Sequence, residues 1–392
     1  MTVQIDTQRT IDLLTQLVQI DSVNPSLVSD GSGEGEIASF VHSLLCDAGV
    51  EATLEQVLPG RPNVIGRMPG TGEGSTLLLN AHLDTVSVEG MEDPFSARIS
   101  GGRLYGRGAW DTKAGLAAGL SVLLALADEK VSLPGGLVLL GAIDEEHGSE
   151  GTQAFLNDAE VDGCIILEPT SLDLWVAHGG FAWVEIETEG VAAHGSLPDV
   201  GVDAITKMGH LLHQAEGLRQ RLRLTRSFEP PLGGETMLPS LHASTIEGGR
   251  EWSSYPDRCL LRLERRMIPG ETQQDLEREL DELLSGLALN DPQLRACWRF
   301  SMVRPPWQAE KGPLFTALEA AYRSQLGHAP GRAAGLMWTD AALTQQAGIP
   351  TVIIGPRGDG KHAVVEYVEL DSVVTCARIL LDTALRFCRY PR

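Results

Sequence analysis

Short runs of apolar residues, each followed by a histidine or an acid, recur along the chain. Runs of this kind are typical of buried strands in a parallel sheet. The carboxyl ends of parallel strands meet at one edge, and open α/β sheets place their ligands there. Three of these runs, with the polar residues that follow them, are Leu77–Leu79 with His82 and Asp84, Leu137–Ile143 with Asp144, Glu145 and Glu146, and Ile165–Leu167 with Glu168.

The segments around these runs predict an α/β fold with a mixed, mostly parallel sheet. Apolar residues at helical spacing predict helices, and Gly-Gly or other turn residues between apolar segments predict hairpins. The predicted elements are helices over 7–20, 37–45, 116–126 and 313–325, hairpins over 53–67 and 98–105, and a further buried strand over 351–354.

Residues 179–304 carry a different pattern. Strands with one polar face alternate with helical segments in the order βαββαβ, which is the order of a ferredoxin-like domain. The strands are predicted over 181–188, 241–246, 259–267 and 295–303, and the helices over 201–222 and 272–287. We expect this small domain to be inserted into a larger one, which comprises residues 1–178 and 305–392.

Length and charge narrow the class of protein. With 392 residues the chain is too long for one ordinary core, which agrees with two domains. Its net charge of -22 disfavours nucleic acids and anionic membranes as partners. The N-terminal sequence has no signal-peptide pattern, and no apolar stretch reaches the ~20 residues of a membrane span. We therefore expect a soluble, cytoplasmic protein.

The polar residues at the predicted sheet edge form a ligand set for a divalent cation. They are histidines and carboxylates without a cysteine, which suits zinc or a similar ion. Two such ions sharing one carboxylate need two histidines and three carboxylates, and one further carboxylate is then left as a general base. Asp84 shares a face with His82 if the chain stays extended, so it can orient the imidazole. The candidate ligands are His82, Asp111, Glu145, Glu146, Glu168 and His362.

Each candidate also has a structural interpretation. His82 fits a satisfied histidine at a strand end, Asp111 fits a helix cap, and a Glu-Glu pair is most often solvated surface. The Gly-x-Gly-x-Gly run within 69–74 predicts a turn, because it lacks the lysine and the following helix of a phosphate-binding loop. The chain has no His-Glu-x-x-His, Gly-x-Ser-x-Gly or Cys-x-x-Cys, which argues against a thermolysin-like zinc site, a serine hydrolase and a thiol redox site.

Seven motifs follow one another over nearly the whole chain. They are Asn80-Ala-His-Leu-Asp-Thr-Val86, Gly106-Arg-Gly-Ala-Trp-Asp-Thr-Lys113, Asp144-Glu-Glu-His-Gly148, Leu167-Glu-Pro169, Ala193-His-Gly-Ser-Leu-Pro198, Arg265-Arg-Met-Ile-Pro-Gly-Glu271 and Gly360-Lys-His-Ala363. In these motifs and their order the chain resembles the acetylornithine deacetylase, succinyl-diaminopimelate desuccinylase and glutamate carboxypeptidase family of di-zinc hydrolases. The resemblance implies a zinc-exopeptidase-like catalytic domain, with the inserted domain as a lid that also forms a homodimer.

The resemblance implies a role for each candidate at the sheet edge. The implied ligands are His82, Asp111 and Glu168 for one zinc ion, and Asp111, Glu146 and His362 for the other. Asp111 would bridge the two ions, and cobalt would be a substitute in vitro. Glu145 would act as the general base that passes a proton from water to the leaving amine. Asp84 would orient His82.

Further residues are implied to contact the substrate. His194, on the inserted domain, would reach a catalytic centre, often that of the partner subunit, and stabilise the oxyanion. Without the family, an exposed loop is the better interpretation of His194. Arg266 would clamp a substrate carboxylate, and it is preferred to Arg265 because of its spacing from the following proline. The backbone amides implied near the same group are those of Gly355, Gly358 and Gly360.

Three positions depart from the family pattern. Thr112 replaces a methionine and Ala114 a glycine, and neither residue is an implied ligand. Ser253 stands where an asparagine commonly contacts the substrate, so the identity of the substrate is open although hydrolysis is not. Asp340, in Trp338-Thr-Asp-Ala341, is expected to cap a helix, and a role in contacting the substrate is the alternative.

The sequence therefore predicts a metal-dependent amidohydrolase. It would cleave the amide of an N-acyl amino acid, in the manner of an acetylornithine deacetylase, through a water that bridges two zinc ions. The alternative is a dipeptidase or carboxypeptidase of the same family, which acts on a short peptide. A metal-free binding protein with the same fold is disfavoured, because every implied ligand and the base are present.

Overall fold

The structure, a computed structural model, describes residues 3–391. The chain forms two compact units. The first comprises the described residues up to Val176, the segment Ala309–Ala333 and the residues from Thr339 onward, and the second comprises Ala177–Gln308 and Ala334–Trp338. Within residues 3–391, none of the helices combines the length and the apolar character that a membrane crossing requires.

Three of the helices in the described residues begin at a residue whose side chain satisfies a free backbone N–H group. The side chains of Asp6, Asp203 and Thr272 accept these hydrogen bonds. The helices of the described residues are α1 (Thr7–Gln19), α2 (Gly35–Asp47), α3 (Lys113–Asp128), α4 (Glu150–Leu156), α5 (Ala204–Thr225), α6 (Gln273–Ala288), α7 (Pro313–Leu326), α8 (Ala341–Gln346) and α9 (Leu370–Phe387).

Most of the strands coincide with the apolar runs and the alternating segments of the sequence. The strands of the described residues are β1 (Glu51–Leu58), β2 (Arg61–Met68), β3 (Leu77–His82), β4 (Arg98–Ser100), β5 (Arg103–Tyr105), β6 (Leu137–Ala142), β7 (Gly163–Ile166), β8 (Leu174–His178), β9 (Gly180–Glu189), β10 (Ser240–Gly248), β11 (Arg258–Met267), β12 (Arg295–Arg304), β13 (Trp307–Gln308), β14 (Arg332–Gly335), β15 (Thr351–Ile353), β16 (Gly358–Asp359) and β17 (Tyr367–Glu369). Of these, β8, β13, β14, β16 and β17 were not predicted.

The first unit is built on a mixed sheet in the order β1–β2–β6–β3–β7–β15–β8. Its centre is parallel, since β3 pairs in parallel with β6 and β7, and β7 with β15. The outer pairs are antiparallel. Every residue of β3, β6 and β7 is buried, which explains their continuous apolar sequences. The predicted α/β class with a mixed, largely parallel sheet is confirmed.

The helix α9 packs against both α3 and α7 in the first unit. α3 lies so close to the end of β7 that a Cβ atom added to Gly115 would overlap the carbonyl oxygen of Leu167 and lie 2.9 Å from its Cβ. Leu167 directly precedes Glu168, so the contact with α3 restricts the backbone position from which the Glu168 carboxylate extends.

The second unit contains the antiparallel sheet β10–β11–β9–β12 with α5 and α6. The order of elements along the chain is the predicted βαββαβ. One face of the sheet and the two helices share a core. Its strand and helix residues include Val184, Ile186, Leu261, Leu263, Met208, Leu211, Leu276 and Leu280.

We expect opposite effects from alanine at two helical glycines. Gly209, in α5, has no atom within 4 Å of an added Cβ, so Gly209→Ala should stabilise the protein by about 0.5–1 kcal/mol through helix propensity. Gly115→Ala should destabilise it by about 1–3 kcal/mol, because the methyl group overlaps the segment that holds Glu168. Urea unfolding of both variants measures this, and a stabilised Gly115→Ala would contradict the close packing.

Candidate metal centre

His82 is the last residue of β3 and is buried at the carboxyl edge of the parallel strands. Its Nδ1 lies 2.9 Å from the carbonyl oxygen of Asp84 and 3.5 Å from Asp84 Oδ1. Because a carbonyl oxygen can only accept, Nδ1 is the protonated nitrogen and donates to it. Nε2 faces the other way, 3.2 Å from Asp111 Oδ1 and 3.7 Å from Glu168 Oε1.

The Asp84 carboxylate joins His82 to the segment after β6. It is buried and accepts hydrogen bonds from the backbone N–H groups of Glu145 and Glu146, each at 3.1 Å, and from Asn24 Nδ2 at 2.8 Å. Burial alone would raise its pKa, but the hydrogen bond and charge of His82, with the hydrogen bonds from Asn24 and the backbone, together outweigh burial, and the pKa of Asp84 is lowered. Asp84 therefore stays charged while it orients both the imidazole and the Glu145-Glu146 backbone.

Asp111 is held in place by the buried carboxylate of Glu366. That carboxylate accepts the backbone N–H groups of Gly108, Trp110 and Asp111 at 3.0, 2.8 and 3.0 Å. The residue at the start of α3 is Thr112, so Asp111 is not the cap of this helix, and its carboxylate faces the histidines instead.

Arg107 connects the Asp111 segment to the segment that carries His362. Its Nη1 pairs with Glu366 at 2.7 Å, and its Nη2 donates to the carbonyl oxygen of Ala363 at 3.0 Å. Both side chains of the pair are almost completely buried. The two segments, which are far apart in sequence, are thereby fixed to each other.

His362 completes the cluster on the side opposite His82. Its Nε2 lies 3.4 Å from Asp111 Oδ2 and 3.1 Å from Glu146 Oε1. The two oxygens of Asp111 thus face different histidines, as a bridging carboxylate requires. The groups whose ligand atoms all lie within 4.8 Å of one another are His82 with Glu145 and Glu168, and His82 with Asp111 and Glu146.

The carboxylates of this cluster repel one another in a buried setting. Burial and then the charge of Glu168 raise the pKa of Glu145 well above its usual range. Burial and the charge of Asp111 also raise the pKa of Glu146, and they raise that of Glu168 to about 8. The edge of the sheet therefore concentrates more negative charge than its own side chains can stabilise.

The two histidines respond in the opposite direction. Hydrogen bonds to Asp111 and Glu146 raise the pKa of His362 to about 10. Burial would lower the pKa of His82, but its hydrogen bonds to Asp111 and Asp84 outweigh burial and raise the pKa well above the ordinary value. Asp111 has a pKa well below its usual range, since the hydrogen bonds from His362 and His82 outweigh its burial.

The donor set fits divalent cations. It combines two imidazole nitrogens with several carboxylates, and it contains no thiolate. Positive charge at this place would stabilise the carboxylates in their charged form, and the two histidines could then be neutral ligands. The six candidate ligands predicted from the sequence are brought together by the fold of the first unit.

His194, on the second unit, lies in an exposed loop. Its Nδ1 is 2.8 Å from Ser196 Oγ, and it forms an isolated bridge with Ser254. The N–H of Gly195 donates to the carbonyl oxygen of Ser253 at 2.6 Å. The histidine and the position that departs from the family pattern are therefore neighbours.

Arg265 and Arg266 point to opposite faces of β11. Arg265 is buried and pairs with Glu271 at 2.6 Å and with Glu279 at 3.1 Å, so it belongs to the interior of the second unit. The side chain of Arg266 is 28% exposed, pairs with Glu264 at 2.6 Å and lies over the ring of Phe181. Of the two side chains, that of Arg266 is the one exposed to solvent.

The glycines of the 355–360 loop have structural contacts of their own. The N–H of Gly355 donates to Thr170 Oγ1 at 2.9 Å, and that of Gly360 to Asp359 Oδ1 at 2.8 Å. Gly358 pairs with Val368 in the hairpin of β16 and β17. In this conformation the amides of Gly355 and Gly360 are already satisfied.

Several buried residues around the cluster were not predicted from the sequence. Glu366, Arg107, Arg61 and Glu34 form ion pairs between segments distant in sequence, and no local pattern marks them. Asp340 was expected to cap α8. Its side chain makes no capping bond, accepts from Thr152 Oγ1 at 2.5 Å, and has a pKa that burial raises to about 6.

Known proteins are similar to this chain in sequence along almost their whole length. Residues 78–386 match the family model described as peptidase family M20/M25/M40. Over 384 residues the chain is 28% identical to the N-formyl-4-amino-5-aminomethyl-2-methylpyrimidine deformylase of Bacillus subtilis (strain 168), covering 90% of this chain and 89% of the relative. It is 29% identical to the acetylornithine deacetylase of Myxococcus xanthus over 393 residues, covering 96% of each.

A solved structure shares the fold. The YXEP protein of Bacillus subtilis, described as a dinuclear metal binding peptidase from the M20 family, superposes with a TM-score of 0.73. The match covers 97% of each chain at 16% sequence identity. At this identity the similarity demonstrates the common fold.

Because the Glu366 carboxylate binds three backbone N–H groups and Arg107, we expect even a conservative substitution of Glu366 to destabilise the protein strongly. Glu366→Gln should cost about 2–4 kcal/mol of unfolding free energy, because it leaves Arg107 buried without its counter-ion and offers one acceptor oxygen instead of two. Glu369→Gln is the matched control; this half-exposed residue should cost at most about 1 kcal/mol. Urea unfolding compares the two, and equal losses would contradict the role of Glu366.

Proposed function

Because the chain belongs to the peptidase family M20/M25/M40, we propose that it is a two-zinc amidohydrolase that removes the acyl group from an N-acyl amino acid. The resemblance predicted from its motifs is confirmed, and the chain is a hydrolytic enzyme of a metal-dependent family. The single observation that carries the finer proposal is the position of Asp111 between His82 and His362, with three glutamates beside them.

The first unit supplies the ligands for both metal ions. We assign His82, Asp111 and Glu168 to one ion and Asp111, Glu146 and His362 to the other. Zinc suits this set of nitrogen and oxygen donors, and cobalt prefers similar ligands. When bound, the two ions supply an activated water and polarise the carbonyl of the substrate.

Glu145 acts as the general base. It follows β6 directly, and its backbone is fixed by Asp84, so its carboxylate has a defined place beside the ligands. Burial raises its pKa, which moves the group toward the range in which a base both accepts and returns a proton at neutral pH. Glu145 takes the proton from the attacking water and delivers it to the nitrogen of the leaving amine.

Residues of the second unit recognise the substrate. We assign the solvent-accessible guanidinium of Arg266 to the α-carboxylate and the exposed imidazole of His194 to the oxyanion. Assembly of a homodimer through this unit and a cytoplasmic location remain predictions from the sequence.

Deacylation is preferred to peptide cleavage because of the sequence relatives. The deformylase and the deacetylase named above align along almost their whole length, and according to their names both remove an acyl group. A dipeptidase or carboxypeptidase activity is the alternative, since solved structures of the same fold include peptidases. Initial rates on a panel of N-formyl, N-acetyl and N-succinyl amino acids, with dipeptides alongside, decide between them.

Glu145→Gln should remove turnover and leave the metal in place. The amide keeps the shape of the side chain but cannot accept the proton of water, so kcat should fall by about 10²–10⁴. Metal content by mass spectrometry should be unchanged, because Glu145 is not an assigned ligand. Glu150→Gln, an exposed position on the following helix, is the control and should be fully active. Lost metal in Glu145→Gln would mean that the role of this residue is misassigned.

Metal binding at pH 7 should release protons. Without metal, Glu168 (pKa about 8) and His362 (pKa about 10) both carry a proton at this pH. Both must lose it to act as ligands, and His82, whose pKa is also raised, must be neutral as well, so we expect at least about two protons to be released and the affinity to rise with pH until about pH 10. Calorimetric titration of zinc in buffers of different ionisation enthalpy measures the number. A binding heat that does not depend on the buffer would contradict this ligand set.

A further inference from the structure

Asp144 has an unusual backbone conformation directly before the proposed base. Its φ is +64°, in the left-handed region that side-chain-bearing residues seldom adopt. Such a conformation persists at functional sites only where the surroundings enforce it. The carbonyl oxygen of Asp144 accepts the N–H groups of His147, Gly148 and Ser149, which turns the chain tightly around Glu145 and Glu146.

The buried carboxylate of Asp144 is held by four donors. Its Oδ1 accepts from Asn24 Nδ2 at 3.0 Å, Ser26 Oγ at 3.0 Å and Arg61 Nη2 at 2.9 Å, and its Oδ2 accepts from the N–H of Gly148 at 3.1 Å. Asp144 is 1% exposed. The turn is therefore fixed through its side chain as well as through its backbone.

Arg61, at the start of β2, is the centre of this group. Its Nε and Nη2 pair with the two oxygens of Glu34 at 2.6 and 2.7 Å, and Nη1 donates to Ser26 Oγ at 2.8 Å. Nη2 also donates to Asn24 Oδ1 at 3.0 Å. Glu34 in turn accepts the N–H of Asp144 at 3.1 Å. The guanidinium thus fixes every residue that contacts the Asp144 carboxylate from outside the turn.

Asn24 extends the same group to the metal centre. Its amide nitrogen donates to Asp84 at 2.8 Å as well as to Asp144. Asp84 accepts the N–H groups of Glu145 and Glu146 and contacts His82. Two connections therefore run from Arg61 to the base, one through Asp144 and one through Asn24 and Asp84.

We propose that Arg61, paired with Glu34, is a positioning residue for Glu145: it holds the Asp144 turn and the Asn24–Asp84 contact so that the carboxylate of the base stays in its productive place. This inference rests on the proposed function, in which Glu145 is the base. A buried ion pair contributes little net stability compared with apolar side chains of similar size, so stability alone does not explain the arrangement. A misplacement of about 1 Å at the reacting groups can reduce the rate by about 10²-fold.

The test removes the guanidinium together with the charge of Glu34, its bidentate partner, while Asp144 keeps its hydrogen bonds from Asn24, Ser26 and Gly148. Arg61→Met is combined with Glu34→Gln, which keeps the volume of both side chains and leaves no unpaired charge at position 34. Arg61→Lys keeps the positive charge but lacks the several N–H donors of the guanidinium. Its kcat should therefore lie between those of the unchanged protein and the double variant. Arg67→Met, a less buried position on the same strand, is the matched control.

The double variant should lose activity while its affinity for the substrate and its metal content stay the same. We expect kcat to fall by about 10- to 100-fold, with KM within about threefold of the unchanged protein and the same zinc content. Amide hydrogen exchange, followed by mass spectrometry, should become at least about tenfold faster in residues 143–149, with little change in β3, β6 and β7. Arg67→Met should match the unchanged protein in every measurement.

Three results would overturn the proposal. They are an unchanged kcat in the folded double variant, a kcat that falls only in proportion to lost zinc, and faster exchange throughout the first unit, which would indicate a role in global stability alone. If the unchanged protein hydrolyses neither N-acyl amino acids nor dipeptides, the proposed function fails. The exchange of residues 143–149 still decides whether Arg61 holds the turn.

Discussion

Buried like charges at one edge of a sheet are the constraint on which the rest of this structure depends. Parallel pairing of β6, β3 and β7 brings the ends of three apolar strands together, and each is followed by acidic or imidazole side chains. Asp111, Glu145, Glu146 and Glu168 then lie close to one another with little access to water. Carboxylates in such a place must be protonated or compensated by positive charge.

The fold meets this constraint with fixed donors that surround the cluster. Asp84 is held by two backbone N–H groups, and Glu366 by three. Two buried arginines pair with carboxylates next to the cluster: Arg107 with Glu366, and Arg61 with Glu34 and Asp144. Each of these ion pairs joins segments that are distant in sequence. These hydrogen bonds and ion pairs thus position the candidate ligands. The negative charge that they do not compensate lies where cations would bind.

The sequence alone was enough to predict the central strands of the first unit and to place candidate ligands at their carboxyl ends, because both depend on local pattern. A continuous apolar run followed by a polar residue defines a strand end, and parallel ends meet at one edge. Arg61, Glu34 and Asn24 could not be found in this way, since a single charged residue beside a turn gives no periodic signal. Their role depends on tertiary pairing. The helix α9 was not predicted, although its apolar residues recur at helical spacing. The sequence did contain the information in this case.

The most direct test is a crystal structure of the zinc-loaded protein with anomalous scattering at the zinc edge. We expect two peaks that share Asp111, one beside His82 and Glu168 and the other beside Glu146 and His362. A zinc ion bound elsewhere, or a fully loaded protein in which Asp111 contacts no metal, would contradict the assignment of the cluster as a two-metal centre.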